Sequence, residues 1–304
     1  MQSAAPNAQP AYPTPEPVLA TRHRESRVTM QDGRQLFVVE YGPRQDDLPP
    51  LLCLPGLTRN RRDFEALAKR LSTARRIVVA DMRGRGNSDH DPIPKNYAAD
   101  KALSDVLHLL DALRLHDCII LGTSFGGFLA MGVALARPRA LRGVILNDVG
   151  PHLESGAQKF ILDYVTAMKP QPDWAAAAAY ARDLIGHGWD KDDDTWQRLA
   201  RQSYVKGPDG ILRLDYDPGI AWPLKHMRSQ ADQVDLWALF GALRNVPTLA
   251  LRGALSGVLL ADTLIRMADA KPDLQCVTVP GVGHAPLLDE PAALVAIDEF
   301  LDGV

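Results

Sequence analysis

Gly122-Thr123-Ser124-Phe125-Gly126 sets a serine between two glycines, at the corner where the apolar run 118–121 gives way to an alanine-rich stretch, 125–136. A serine hydroxyl is a weak nucleophile until a neighbouring base takes its proton, so it does acyl-transfer chemistry only where the chain leaves it exposed. The spacing G-x-S-x-G meets that need. A strand that turns at once into a helix forces the serine into strained backbone, and side chains at either glycine would collide with neighbouring backbone. A helix opening at Ser124 also aims its positive N-terminus at the site, where it favours a developing anion. The pentapeptide is equally compatible with a glycine-rich strand–helix turn that merely packs.

The surrounding elements must decide between these readings. Two runs around Asp32-Gly33, within RVTMQDGRQLFVVEYG, predict a hairpin. PLLCLPG, RRIVVADMRG, CIILGTS and LRGVILNDVG are short Val/Ile/Leu strands. Between them NRRDFEALAKRLS, YAADKALSDVLHLLDALRL and FGGFLAMGVALARP carry apolar residues at helical spacing. Continuous apolar strands alternating with helices predict an α/β fold: a mostly parallel, open sheet with helices on both faces. From 151 to 243 the alternation stops, the pattern is helical, and all five tryptophans occur here (Trp174, Trp189, Trp196, Trp222, Trp237). The alternation resumes with VPTLALRG, a helix near 261–269, LQCVTVPG and a last helix from Pro291. The expected organisation is therefore a mobile Pro/Ala-rich arm over 1–24, a core over 25–150 and 244–304, and an inserted helical lid over 151–243.

Composition narrows the function classes. Net charge is 34 − 37 = −3, which offers neither a basic footprint for nucleic acid nor a polybasic membrane patch. Three cysteines, Cys53, Cys118 and Cys276, lie in or beside apolar strands without clustered spacing, so buried free thiols are expected rather than disulfides or a zinc site. No metal or cofactor is implied. The N-terminus lacks a charged start followed by an apolar core, and no apolar stretch is bilayer-length, which predicts a soluble, cytoplasmic protein.

In Leu54-Pro55-Gly56-Leu57, the run 81–88 (DMRGRGNS), the serine corner and Gly281-Val282-Gly283-His284, in that order, the chain resembles the α/β-hydrolase fold family from about Arg27 to its end. The resemblance implies the chain order nucleophile, acid, histidine. Among eight histidines, His284 alone sits in a glycine-rich loop after the last strand, and it is the expected base. Oxyanion donors would be the backbone N–H groups of Phe125 and, by resemblance, Leu57. Asp81 and Arg83 would brace the loop near the pocket.

The acid is the departure. Relatives carry an Asp in the loop after the strand that here reads TLALRG, and the aligned position is Gly257. Ser256 cannot supply a charge. Some relatives, haloalkane dehalogenases among them, take the acid from the end of the preceding strand, where Asp148 stands here, on the side of the sheet where ligand crevices form. Asp148 is the leading candidate, Asp262 a second, and no acid at all a third.

The resulting expectation is a serine hydrolase, with no cofactor, acting on an ester or lactone of a small, largely apolar acid. Trp174 and Trp222 are candidate substrate contacts, and a homodimer is compatible with the sequence. Carbon–carbon bond hydrolysis or perhydrolysis on the same triad, and a ligand receptor without turnover, stay open.

Overall fold

The computed structural model describes residues 23–44, 47–152, 157–226 and 235–304. Most of the expected arm, 1–24, lies outside the described residues. Its last two, His23 and Arg24, already belong to a strand.

Eight strands form the main sheet. They are β1 (His23–Thr29), β2 (Gln35–Tyr41), β3 (Leu51–Leu54), β4 (Ile77–Ala80), β5 (Cys118–Thr123), β6 (Leu141–Asn147), β9 (Thr248–Gly253) and β10 (Gln275–Val279), in the order β1-β2-β4-β3-β5-β6-β9-β10. Antiparallel pairing is confined to β1–β2 and β2–β4, and every other pair is parallel. The sheet is thus the mostly parallel, doubly covered one that the apolar runs require. β3 shows why those runs do not alternate with polar residues. Leu52 and Leu54 enter one core with α2 (Ala99–Ala112) and α3 (Phe125–Ala136). Leu51 and Cys53 enter the opposite core with α1 (Glu65–Leu71) and α10 (Pro291–Asp302). Both faces of the strand are dry, so both sets of side chains must be apolar.

At the β3–β5 pair the connections diverge: the chain leaves β3 toward β4 on one side and leaves β5 toward β6 on the other. At such a switch point the loops after neighbouring strands part and open a crevice at the strands' carboxyl ends. The loops after β3 and β5 carry Leu57 and Ser124.

The insertion is not wholly helical. It contains α4 (Ala157–Ala167), α5 (Trp174–Ile185), α6 (Asp193–Ser203), α7 (Trp222–His226) and α8 (Leu236–Gly241), but also a hairpin of β7 (Tyr204–Lys206) and β8 (Leu212–Leu214). The turn between them closes through Gly207 N–H to the Ile211 carbonyl, with Gly210 at φ +83°. The signal for it, Gly207-Pro208-Asp209-Gly210, sits between runs too short to show a two-residue period. Asp173 and Asp192 cap α5 and α6 by accepting the N–H groups of Ala176 and Thr195, each at 2.8 Å. The alanines of α5 bury against Trp196, Leu199 and Ala200 of α6 in a core separate from those of the sheet.

Cys53 and Cys118 are buried, but Cys276 is exposed, because β10 is an edge strand and its outer side lacks a covering strand. No helix among the described residues is long and apolar enough to cross a membrane.

Candidate active site

The turn from β5 into α3 leaves Ser124 at φ 51°, ψ −113°, a conformation L side chains rarely adopt. Its N–H donates to the Asn147 carbonyl at 2.9 Å, and its own carbonyl accepts from Gly127 N–H, so the strain is held from both ends. The flanking glycines are steric necessities. A Cβ on Gly122 would strike the backbone of Gly126 and Gly127, and one on Gly126 would strike the Leu54 carbonyl at the end of β3. Gly126→Ala is accordingly expected to cost about 1–3 kcal/mol by overpacking, measurable as a lower urea midpoint at unchanged m-value.

His284 follows β10 on the loop 280–284. Its Nε2 lies 3.0 Å from Ser124 Oγ and its Nδ1 lies 2.7 Å from Asp148 Oδ2. The carboxylate fixes the tautomer: a neutral ring facing Asp148 keeps its proton on Nδ1, leaving Nε2 to accept the Ser124 hydroxyl proton. Asp148 directly follows β6 at φ 56° and is fully buried. Both carboxylate oxygens accept. Oδ1 accepts Gly253 N–H at 2.8 Å, and Oδ2 accepts both His284 Nδ1–H and the Ser256 hydroxyl, the latter at 2.5 Å.

The structure therefore brings together Ser124, His284 and Asp148. It does not bring Asp262 to them, since that residue is exposed in the first turn of α9 (Ala261–Ala270). Gly257 faces open space, with nothing within 4 Å of where a Cβ would stand. Ser256, one residue earlier, was readable only as uncharged. Its hydroxyl oxygen accepts the N–H groups of Val258 and Leu259 at 3.0 and 3.2 Å, which commits its proton to Asp148. Ser256→Ala leaves those two N–H groups and one carboxylate lone pair without partners. The expected loss is about 1–3 kcal/mol of stability, read by chemical denaturation. Asn147 was also missed: its amide donates to Thr123 Oγ1 and to the Pro286 carbonyl, each at 3.0 Å, tying the elbow to the histidine loop.

Leu57 lies in the loop after β3, and Phe125 directly follows Ser124 at the start of α3. Among the described residues neither N–H donates to a protein acceptor. The Phe125 ring stacks on Phe128 at 6.3 Å, and the Leu57 side chain packs with Tyr216, Ile220 and Tyr164 of the insertion. Asp81 and Arg83 serve as braces. Asp81 is fully buried and accepts from Arg61 and from the N–H groups of Arg61 and Asn87, while burial pushes its carboxyl above the ordinary range. Arg83 is gripped by Asp91 at 2.6 Å and by Asp105 at 2.8 Å.

The two candidate tryptophans sit in different surroundings. Trp174 packs in the insertion's own core, with the Arg201 guanidinium 4.9 Å from its ring centre. Trp222 stacks on His226 at 4.1 Å and lines a surface groove with Lys95, Lys101 and Ser104, which includes none of Ser124, His284, Leu57 or Phe125. Trp174 thus supplies large apolar area to the core of the helix pair. The tryptophan beside the site is Trp189, whose Nε1 comes within 2.5 Å of where a Cβ on Gly283 would lie.

The insertion grips both rims of the crevice. On the histidine side Asp190 N–H donates to the Gly281 carbonyl, and Lys191 and Arg198 pair with Glu290 and Asp289. On the opposite side Arg59 bonds Ser203, Arg62 reaches the Gln202 carbonyl and Asp215, and Gly86 N–H donates to the Asp215 carbonyl.

Fold and site define a class: the chain belongs to the alpha/beta hydrolase family, whose model matches residues 51–297, and it is a hydrolase of that family. Among individual proteins it is similar to the 3-hydroxybutyrate-oligomer hydrolase of Cupriavidus necator, with 32% identity over 83% of this chain and 88% of that one. It is also similar to the 2-(acetamidomethylene)succinate hydrolase of Mesorhizobium japonicum, with 29% identity over 84% and 88%. Among solved structures, an alpha/beta hydrolase from Novosphingobium aromaticivorans superposes with a TM-score of 0.88 at 38% identity, covering 93% of this chain and 99% of that one.

Proposed function

We propose that the protein is a serine esterase cleaving an ester or lactone of a small, largely apolar acid through an acyl-enzyme, with residues 151–243 as a lid over the crevice. The observation that supports this reading is the chain of contacts from Ser124 Oγ to His284 Nε2, and from His284 Nδ1 to the Asp148 carboxylate. As Ser124 Oγ attacks the carbonyl carbon, its proton passes to His284 Nε2, and Asp148 stabilises the imidazolium that forms. The negative charge moving onto the carbonyl oxygen is met by the Phe125 and Leu57 N–H groups and the positive end of α3. His284 then gives its proton to the leaving alkoxide. Water, deprotonated by the same ring, releases the acid.

The relative named for hydrolysis of 3-hydroxybutyrate oligomers supports short hydroxyacid oligoesters as the substrate class. The test is a panel of 3-hydroxybutyrate dimer and trimer, p-nitrophenyl esters of increasing chain length, simple lactones and vinylogous diketones. Turnover on the oligomers and short esters is the expected result. Turnover on the diketones with none on any ester would replace this reading with carbon–carbon bond hydrolysis. A single burst of product per protein without turnover would replace it with a receptor.

A further inference from the structure

Four arginines near the crevice, Arg59, Arg61, Arg62 and Arg83, each hold a carboxylate: Asp63, Asp81, Asp215 and Asp91 with Asp105. Arg85 does not. It is 2% exposed and, among the described residues, forms no ion pair, the Asp217 carboxylate acting on it only from beyond contact distance. Its Nε donates to the Leu57 carbonyl at 2.8 Å, one terminal nitrogen donates to the Arg83 carbonyl at 2.6 Å, and the other is buried with no partner. The Tyr97 ring lies 5.8 Å from the guanidinium carbon, and the Arg85 backbone is bridged to that of Tyr216. Burial draws its pKa down to about 10, so at neutral pH the group is still a cation. A buried charge held in no ion pair destabilises the fold, and the opposite effect must be sought in what the charge faces.

It faces the Leu57 loop. The Leu57 N–H lies in the Gly56–Leu57 peptide plane, which is held because the Gly56 carbonyl accepts Arg59 N–H at 3.1 Å. The next plane, Leu57–Thr58, is held because its carbonyl accepts Arg85 Nε–H. The loop is thus pinned on both sides of the Leu57 Cα, and the Arg85 guanidinium stands at the Leu57 carbonyl. Resting on the proposed serine mechanism, we infer that Arg85 is a positioning residue for the oxyanion hole: by pinning the carbonyl that follows, it keeps the loop carrying the Leu57 N–H in place, and it adds a positive charge, held in no ion pair, that favours the tetrahedral oxyanion over the ground-state carbonyl. A group that acts this way changes kcat more than KM, because its effect appears as charge develops.

The experiment compares wild type with Arg85→Met and Arg85→Lys, using p-nitrophenyl butyrate as substrate and a trifluoromethyl ketone as tetrahedral analogue. Active sites are counted by fluorophosphonate labelling, so that misfolded protein does not enter kcat. Arg85→Met is expected to lower kcat about 10- to 100-fold with KM within about threefold, less than direct loss of an oxyanion donor. Affinity for the ketone should fall by the same factor as kcat/KM. Arg85→Lys keeps the charge but not the planar fork, and about a three- to tenfold loss is expected, again matched by the ketone. Where the Met variant does not fold, the Lys variant alone decides. Unchanged kcat and unchanged ketone affinity in the folded variants, or a loss of activity that ketone affinity does not follow, overturns the proposal. Failure of the serine reading is separately visible: wild type would then take no fluorophosphonate on Ser124.

Discussion

Ser124→Ala is expected to lower ester turnover by at least about 10³-fold, since no other nucleophile stands at the elbow. The fold should survive unchanged. The hydroxyl makes no core contact, its loss leaves no cavity, and the strained backbone at φ 51° is held by the Asn147 carbonyl and the Gly127 N–H, neither of which involves the side chain. Circular dichroism and the thermal midpoint should therefore match wild type while steady-state hydrolysis of a p-nitrophenyl ester disappears. The variant should also fail to gain the mass of a fluorophosphonate that wild type acquires. Turnover within tenfold of wild type would remove Ser124 from the mechanism.

Asp148→Asn is expected to act on both chemistry and stability. The amide removes the charge that stabilises the His284 imidazolium and no longer enforces a proton on Nδ1, for which a loss of about 10⁴-fold in kcat is the precedent. At the Oδ1 position the new amide nitrogen opposes the Gly253 N–H, and at the Oδ2 position it meets the Ser256 hydroxyl and a His284 Nδ1 that can accept only with the ring proton on Nε2, the tautomer unable to take the Ser124 proton. About 1–3 kcal/mol of stability should be lost with it. Adding Gly257→Asp to this variant is the decisive second arm. A side chain at 257 meets nothing within 4 Å, so a carboxylate can enter without strain, and part of the lost kcat should return. Asp148→Asn with near-normal kcat would show that no acid operates from this position.

How much of this was legible beforehand depends on whether the signal was local. The elbow was legible because its glycines answer to atoms within a few residues and at the adjoining strand end. The strands were legible because burial on both faces writes itself as unbroken apolar runs. His284 could be singled out because a glycine-rich loop after the last strand held one histidine, and it lies beside Ser124. The acid was harder: its case rests on Gly253, Ser256 and His284, which are 105, 108 and 136 residues away, and spacing along a chain does not report such pairings. Ser256 was set aside for lacking a charge, when the hydrogen bond it gives is what matters. Arg85 carried no signal, since its character comes from the Leu57 and Arg83 carbonyls that it bonds rather than from an ion pair. Trp174 and Trp222 carried no decisive signal, because large aromatics serve a small helical core as readily as a ligand.

The grip of the insertion on both rims has a consequence for divergence. The loops bearing His284 and Leu57 are joined twice, once beneath through the sheet and once above through α5, α6 and the hairpin. A change in ligand preference made by remodelling the segments that carry Asp190, Lys191, Gln202 or Asp215 would loosen the alignment of the reacting groups along with the shape of the pocket. Segments of the insertion that touch neither rim are free of that penalty. Variation tolerated by selection should therefore concentrate away from these four residues, and the covering segment behaves less as a movable door than as a tie-beam whose anchor points drift slowly while the span between them is free to change.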